Sequence, residues 1–359
     1  SARQALFIIT AISVFIVVLG LAFRAPLLSF IFGKVDADVM KNSMVYFFYT
    51  VLSYPFIALY DAGASIFRAQ ENTRGPMVIS IISNVMNIVG NGILIWVFHM
   101  GVAGAAISTL VSRIFCAVVV LYQLRKDRQP IVVRDYLKIR PDGKMIGRIL
   151  ALGIPSGIEN SMFQLGKLAI QSTVSTLGTT AIAAQAMTNM LEMLNGTAVI
   201  GVGIGLMTVV GQSLGAGRKD EAVYYMKKLM IFSEVFLIAC CAVVYVLARP
   251  ITMIGGMEAK SAEMCLDMMF WITIVKPIVW MFAFIPAYGM RAAGDVKFSM
   301  ITSCITMWTF RFCLCVYLIR VCGMGPMAVW IGMFTDWTVR AIVFGLRFKS
   351  GKWMEHKVV

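Results

Sequence analysis

Apolar residues in this chain fall in long runs, without the strict alternation of a half-buried strand or the narrow stripe of a surface helix. The runs lie near residues 5–30, 43–67, 77–98, 103–124, 148–172, 182–210, 229–254, 265–289, 298–320 and 326–347. Most reach about 20 residues, the length a helix needs to cross roughly 30 Å of hydrocarbon. The pattern therefore predicts ten membrane-spanning helices, an all-α membrane protein. Strands of a membrane barrel would alternate over about ten residues, and no segment reads that way. A hydrophobic content of 59% and a mean hydropathy of +0.82 agree, since a soluble chain could not hide that much apolar surface.

The polar breaks between runs carry a repeat. Phe67-Arg68-Ala69-Gln70-Glu71-Asn72-Thr73-Arg74-Gly75-Pro76-Met77 returns, degraded, as Met290-Arg291-Ala292-Ala293-Gly294-Asp295-Val296-Lys297-Phe298-Ser299-Met300, shifted by 223 residues. The four runs before residue 125 match the last four, whereas 148–172 and 182–210 have no earlier counterpart. Symmetry then predicts two further helices, roughly 75 residues, ahead of Ser1, giving six plus six. The expected organisation is an N-terminal lobe at 1–124, a basic linker at 125–147 and a six-helix lobe at 148–359.

The net charge of +14 gains meaning from its placement. Lys and Arg crowd the repeated Arg loops, the 125–148 segment, Arg218 to Lys228 and the C-terminus. The opposite ends of the spans carry only Lys34, Lys41, Arg249, Lys260 and Arg320. The bias predicts that the linker, the Arg loops and the C-terminus are cytoplasmic, so the charge is a membrane signature and not a nucleic-acid one. Within the linker, Ile131 to Arg140 mixes apolar and charged residues and is read as a tether along the headgroups.

Several motifs now coincide. Val210-Gly211-Gln212-Ser213-Leu214-Gly215-Ala216-Gly217 resembles the GQ-x-x-GAG signature of the multidrug and toxic compound extrusion (MATE) family. The two Arg loops resemble that family's loops after its fourth and tenth helices. Gly101 to Ala106 and Ala328 to Gly332 resemble the openings of its sixth and twelfth, and Gly153-Ile154-Pro155 the start of its seventh. The resemblance spans essentially the whole chain and implies a two-lobed helical transporter. It implies an antiporter that exports organic, cationic compounds in exchange for H⁺ or Na⁺, in the cell membrane. Small molecules and the bilayer are then the expected partners, with no enzyme activity, cofactor, nucleic acid or obligate protein partner.

Polar residues inside the runs are the candidate chemistry, because an ionisable group in hydrocarbon costs about 2.5–3.5 kcal/mol on insertion scales. Asn160, Gln164, Lys167 and Gln171 share one face of the 148–172 helix, with Glu159 beside its start. Gln185, Asn189 and Glu192 share a face of the next. Glu159 and Glu192 are the predicted coupling carboxylates, since a carboxylate can hold a proton or a cation but not both. Lys167 and Lys276 complicate that reading by offering each acid an ammonium partner. In the N-terminal lobe Tyr49, Tyr54, Asn84 and Asn87 are candidate cavity residues. Pro55 and Pro277 are expected to bend their spans, Arg68 and Arg291 to act at a gate, and Gly211 and Gln212 to close a helix. Asp336 and Arg340, four apart, should pair, with Arg311 as a third member.

Rival chemistries have little footing. There is no GxxxxGK[ST], HExxH or GxSxG, and the two histidines, His99 and His356, lie in loop or tail positions. The eight cysteines form no CxxC, so no metal site is expected. The alternative function is a flippase for a lipid-linked oligosaccharide or cell-wall precursor. Such a protein needs a cationic cavity, which Lys167, Lys276 and Arg311 would serve.

Overall fold

The computed structural model describes residues 2–32, 37–125 and 141–355, and these are almost wholly helical. Every predicted run appears. The first is α1 (Ala2–Ala22) and α2 (Arg24–Phe32), and the second is α3 (Ala37–Leu52) and α4 (Tyr54–Ala69). Next come α5 (Arg74–Gly92), α6 (Gly101–Leu124), α7 (Gly143–Val174), α8 (Thr179–Gly215), α9 (Lys219–Ile254) and α10 (Ala259–Ala292). The last two runs are α11 (Val296–Thr306) with α12 (Leu314–Arg320), and α13 (Met327–Lys349). Most of the 125–147 linker, including Ile131 to Arg140, lies outside the described residues, as does His356.

Nine helical spans among the described residues are long and apolar enough to cross a membrane. The predicted tenth, on α7, forms a continuous helix of 32 residues but is not among the nine. Glu159, Asn160, Gln164, Lys167 and Gln171 dilute its hydropathy, so the polar face that makes it interesting also weakens its membrane signal. Large apolar side chains point outward elsewhere, with Ile254 87% and Trp96 79% exposed. Such a surface is stable against lipid and not against water.

Two compact units are present, Ser1–Ile149 and Leu150–Val359. In the first, α6 packs on α3, α4 and α5. In the second, α10 is central and packs on α8, α9 and α13. Its core holds Leu206, Trp330, Trp337 and Phe344, all buried.

The two Arg loops fold alike. In the second, the Asp295 N–H donates to the Met290 carbonyl and the Gly294 N–H to the Arg291 carbonyl, with Gly294 at φ +88°. In the first, Asn72 donates to Phe67 and Glu71 to Arg68, with Glu71 at φ +63°. Both are the left-handed turn that closes a helix and satisfies its last carbonyls. The first copy places a side chain where the second has glycine, at a cost of about 1–2 kcal/mol for an L-residue. Glu71→Gly should therefore stabilise the chain by about 1 kcal/mol. Thermal unfolding in detergent checks this, and an unchanged or lower midpoint would contradict it.

The glycine-rich motif that ends α8 does what its composition predicts. Arg218 N–H donates to Ser213, Gly217 N–H to Leu214 and Ala216 N–H to Gln212, with Gly217 at φ +75°. Gly211 and Gln212 thus belong to a helix terminus. The paired prolines do not behave alike. Pro55 sits in the first turn of α4, where the span breaks at Ser53 and its missing N–H costs nothing, whereas Pro277 lies inside the unbroken α10.

Candidate functional site

A cavity of about 510 Å³ opens in the second unit, between α7, α8 and α13. Gln164, Lys167 and Gln171 reach it from α7, and Gln185, Asn189 and Glu192 from α8. The two predicted polar faces therefore meet. Arg311 closes one wall, with Met193, Val329 and Met333 among the apolar residues.

Glu192 is not free. Its Oε1 lies 2.5 Å from Nζ of Lys276, which also donates to the Glu192 carbonyl at 3.1 Å. Lys276 is 0% exposed, and its ammonium sits 5.4 Å from the Trp280 ring centroid. On α8 the Gln185 amide donates to Asn189 at 3.3 Å and accepts from the Trp330 indole at 3.2 Å, which holds the amide face in place.

A second cavity of about 210 Å³ contains Glu159, Asn160, Tyr288, Arg291 and Arg340. Here Arg291, from the repeated loop, donates to Glu159 Oε1 at 2.6 Å. Glu159 is 6% exposed and its Oε2 has no partner. Asn160 turns back to the Ser156 carbonyl at 2.9 Å. Arg340 donates to Asp336 at 2.8 Å and to the Ser303 hydroxyl and carbonyl at 3.0 Å. The expected Asp336–Arg340 pair is thus present. Arg311 is not bonded to it, a correction to the expected triad: its guanidinium instead lies 5.2 Å from the Phe163 centroid.

Both carboxylates predicted to hold a proton or cation carry a cation from their own chain. The sequence pattern offered Lys276 as a neighbour of either acid; the structure assigns it to Glu192 and gives Arg291 to Glu159. Arg291 is therefore an ion-pair partner within the second unit. Its repeat-mate Arg68 bonds Ser65 at 2.8 Å.

In the first unit a cavity of about 250 Å³ is lined by Asn84 and Asn87 as expected, together with Tyr60, Ser83, Ser112 and Arg113. Tyr49 and Tyr54 do not line it. Tyr49 instead stands edge-on to Phe48, with ring centroids 5.3 Å apart. Arg113, which the sequence pattern left unassigned, donates to Ser53 at the α3–α4 break.

Of the three cations that the sequence offers for a cationic cavity, Lys167 and Arg311 line it and Lys276 does not. The segment Met307–Cys313 that carries Arg311 is π-helical, and so is Ile93–Val97 after the first Arg loop. Each lies against a glycine of the following motif. A methyl at Gly332 would meet the Arg311 carbonyl at 2.9 Å, and one at Gly104 the Leu94 carbonyl carbon at 3.1 Å. π turns recur at functional sites because they rotate a side chain out of α register.

The MatE family profile matches residues 1–93 and 155–317. This chain belongs to the MATE family. A relative from Thermotoga maritima, named a probable multidrug resistance protein NorM, is 24% identical over 92% of this chain and 71% of its own length. An outward-facing multidrug resistance MATE transporter superposes with TM-score 0.86 at 18% identity, over 99% of this chain and 79% of its own. A MOP-superfamily transporter from Pyrococcus furiosus, whose reversed binding-pocket polarity suggests a different function for it, gives 0.88 at 18%, over 99% and 79%. The chain is a multi-pass helical membrane protein with the MATE transporter fold.

Proposed function

We propose that this MATE chain serves a secondary active exporter of small organic compounds, working by alternating access in exchange for H⁺ or Na⁺. The observation that carries the reading is the 510 Å³ cavity, sized for a drug-like molecule, with the Glu192–Lys276 pair in its wall. Its polar groups stand on long helices, as midplane sites of transporters do. The names of its relatives support multidrug transport, and the charge bias supports a cytoplasmic linker, Arg loops and C-terminus.

The coupling ion would act on charge pairs that already exist. A proton reaching Glu192 or Glu159 releases Lys276 or Arg291, so ion arrival rearranges side chains on α10. A Na⁺ would have to displace the same cations. The lipid-linked precursor flippase is the second reading, favoured by Lys167 and Arg311 in the cavity wall.

The test is dye flux in proteoliposomes under an imposed proton gradient and, separately, a Na⁺ gradient. Flux several-fold above protein-free vesicles under one gradient is expected and identifies the ion. No flux under either, with the protein folded, overturns the proposal.

A further inference from the structure

The cavity's charges do not balance. Glu192 is neutralised by Lys276, and Asp336, whose charge Arg311 also feels, is held by Arg340. Lys167 and Arg311 are left over. Among the described residues neither has a hydrogen-bond or ion-pair partner. Each instead faces the ring of Phe163, the Lys167 ammonium at 5.6 Å and the Arg311 guanidinium carbon at 5.2 Å from its centroid.

Arg311 is 7% exposed, and its Nε is buried without an acceptor. A buried guanidinium with unmet donors is costly, and a charge kept at such a cost marks a functional site. Arg311 stands on a π-helical turn, and the following helix packs so closely against that turn that only glycine fits at 332, where a methyl would meet the Arg311 carbonyl at 2.9 Å. Lys167, by contrast, is exposed and free to adjust.

We infer that Lys167 and Arg311 form an anion site in this cavity, so that the compound bound there is an organic anion: a carboxylate, sulfonate or phosphate head on an apolar body. The inference rests on the transporter reading only for what happens after binding. A planar guanidinium can take two oxygens of such a head, and the ammonium supplies a movable point charge. Gln164, Gln171 and Asn189 add neutral amides, while Met193, Val329 and Met333 offer an apolar wall. A cationic compound entering the same cavity would meet two unmatched positive charges and an acid already paired.

The test compares two xanthene dyes of similar size, anionic fluorescein and cationic rhodamine 123, by fluorescence anisotropy with the detergent-purified protein. Fluorescein should bind saturably and at least tenfold more tightly than rhodamine 123. Lys167→Gln, a change at an exposed position, should weaken fluorescein at least tenfold while the unfolding midpoint stays put. Arg311→Gln should weaken it as much. Arg311→Lys, which keeps the charge but not the fork, should weaken it less. Rhodamine 123 binding as tightly as fluorescein, no saturable fluorescein binding, or a loss below tenfold in Lys167→Gln would overturn the site. Fluorescein binding without any dye flux in vesicles would sink the transporter reading and leave the site standing. Rhodamine flux without fluorescein binding would do the reverse.

Discussion

Glu192→Gln should lower stability by about 3–5 kcal/mol, the usual cost of breaking a buried ion pair from one side. The reason is what it leaves behind. Lys276 is fully buried, and without the carboxylate its ammonium keeps only the Glu192 carbonyl at 3.1 Å and the Trp280 ring at 5.4 Å. The polar pattern offers Lys167 and Lys276 alike as ammonium partners and does not say which of them the acid holds in the core. The double substitution Glu192→Gln with Lys276→Met removes both charges and should recover most of the loss, since a buried pair is often replaceable by apolar groups of similar volume. Transport should be absent in both variants. Thermal unfolding in detergent and dye flux in vesicles separate the two effects. If the single variant unfolds where the unsubstituted protein does, the pair is not what holds Lys276.

Much of the architecture follows from spacing. A helical rise turns the intervals among Gln164, Lys167 and Gln171, and among Gln185, Asn189 and Glu192, into two faces, and those faces meet at one cavity. The i,i+4 interval likewise yields Asp336–Arg340. Spacing fails where a partner comes from a distant helix. Arg291 and Glu159 are 132 residues apart, and no periodicity on α7 names Arg291. It fails again where the helix changes its period. Across Met307–Cys313 the turn is π-helical, so spacing at roughly 100° per residue no longer says which residues share a face with Arg311. Tyr49 and Tyr54 fail for a third reason. Five residues at roughly 100° each set them about 140° apart around the helix axis, so they do not share a face.

The pairing pattern changes how the acids are understood. Free carboxylates in a cavity would make it a receptor for cations. Here α10 and the Arg loop supply a cation to each, and both pairs sit beside aromatic rings. The acids therefore hold the lobe together, and under the proposed function the same pairs are where an ion would act. The charges that remain unmatched, Lys167 and Arg311, come from α7 and the π segment, so on the proposed reading the anion site stands on different elements from the Glu192–Lys276 pair on which an ion would act.

Arg340→Leu should be the most damaging change among the lobe's structural residues, at about 3–5 kcal/mol. Arg340 is 2% exposed and reaches three acceptors: Asp336, the Ser303 hydroxyl and the Ser303 carbonyl. Asp336 is 0% exposed and its Oδ2 already lacks a partner, so losing Arg340 strips its remaining ion pair inside the core. Ser303→Ala removes one neutral acceptor only and should cost about 1 kcal/mol. Asp336→Leu combined with Arg340→Leu should regain most of the stability, because no lone charge is left buried. The consequences reach the cavity through one ring. Phe163 lies 5.3 Å from the Arg340 guanidinium and 5.2 Å from that of Arg311, so the locked arginine fixes a surface on which the unpaired one rests. Even the stability-restored double variant should therefore bind an anionic dye less tightly, whereas Ser303→Ala should not change it. Unfolding midpoints and dye titrations on the same preparations decide the matter, and a destabilisation of Arg340→Leu no greater than that of Ser303→Ala would remove the lock from the account.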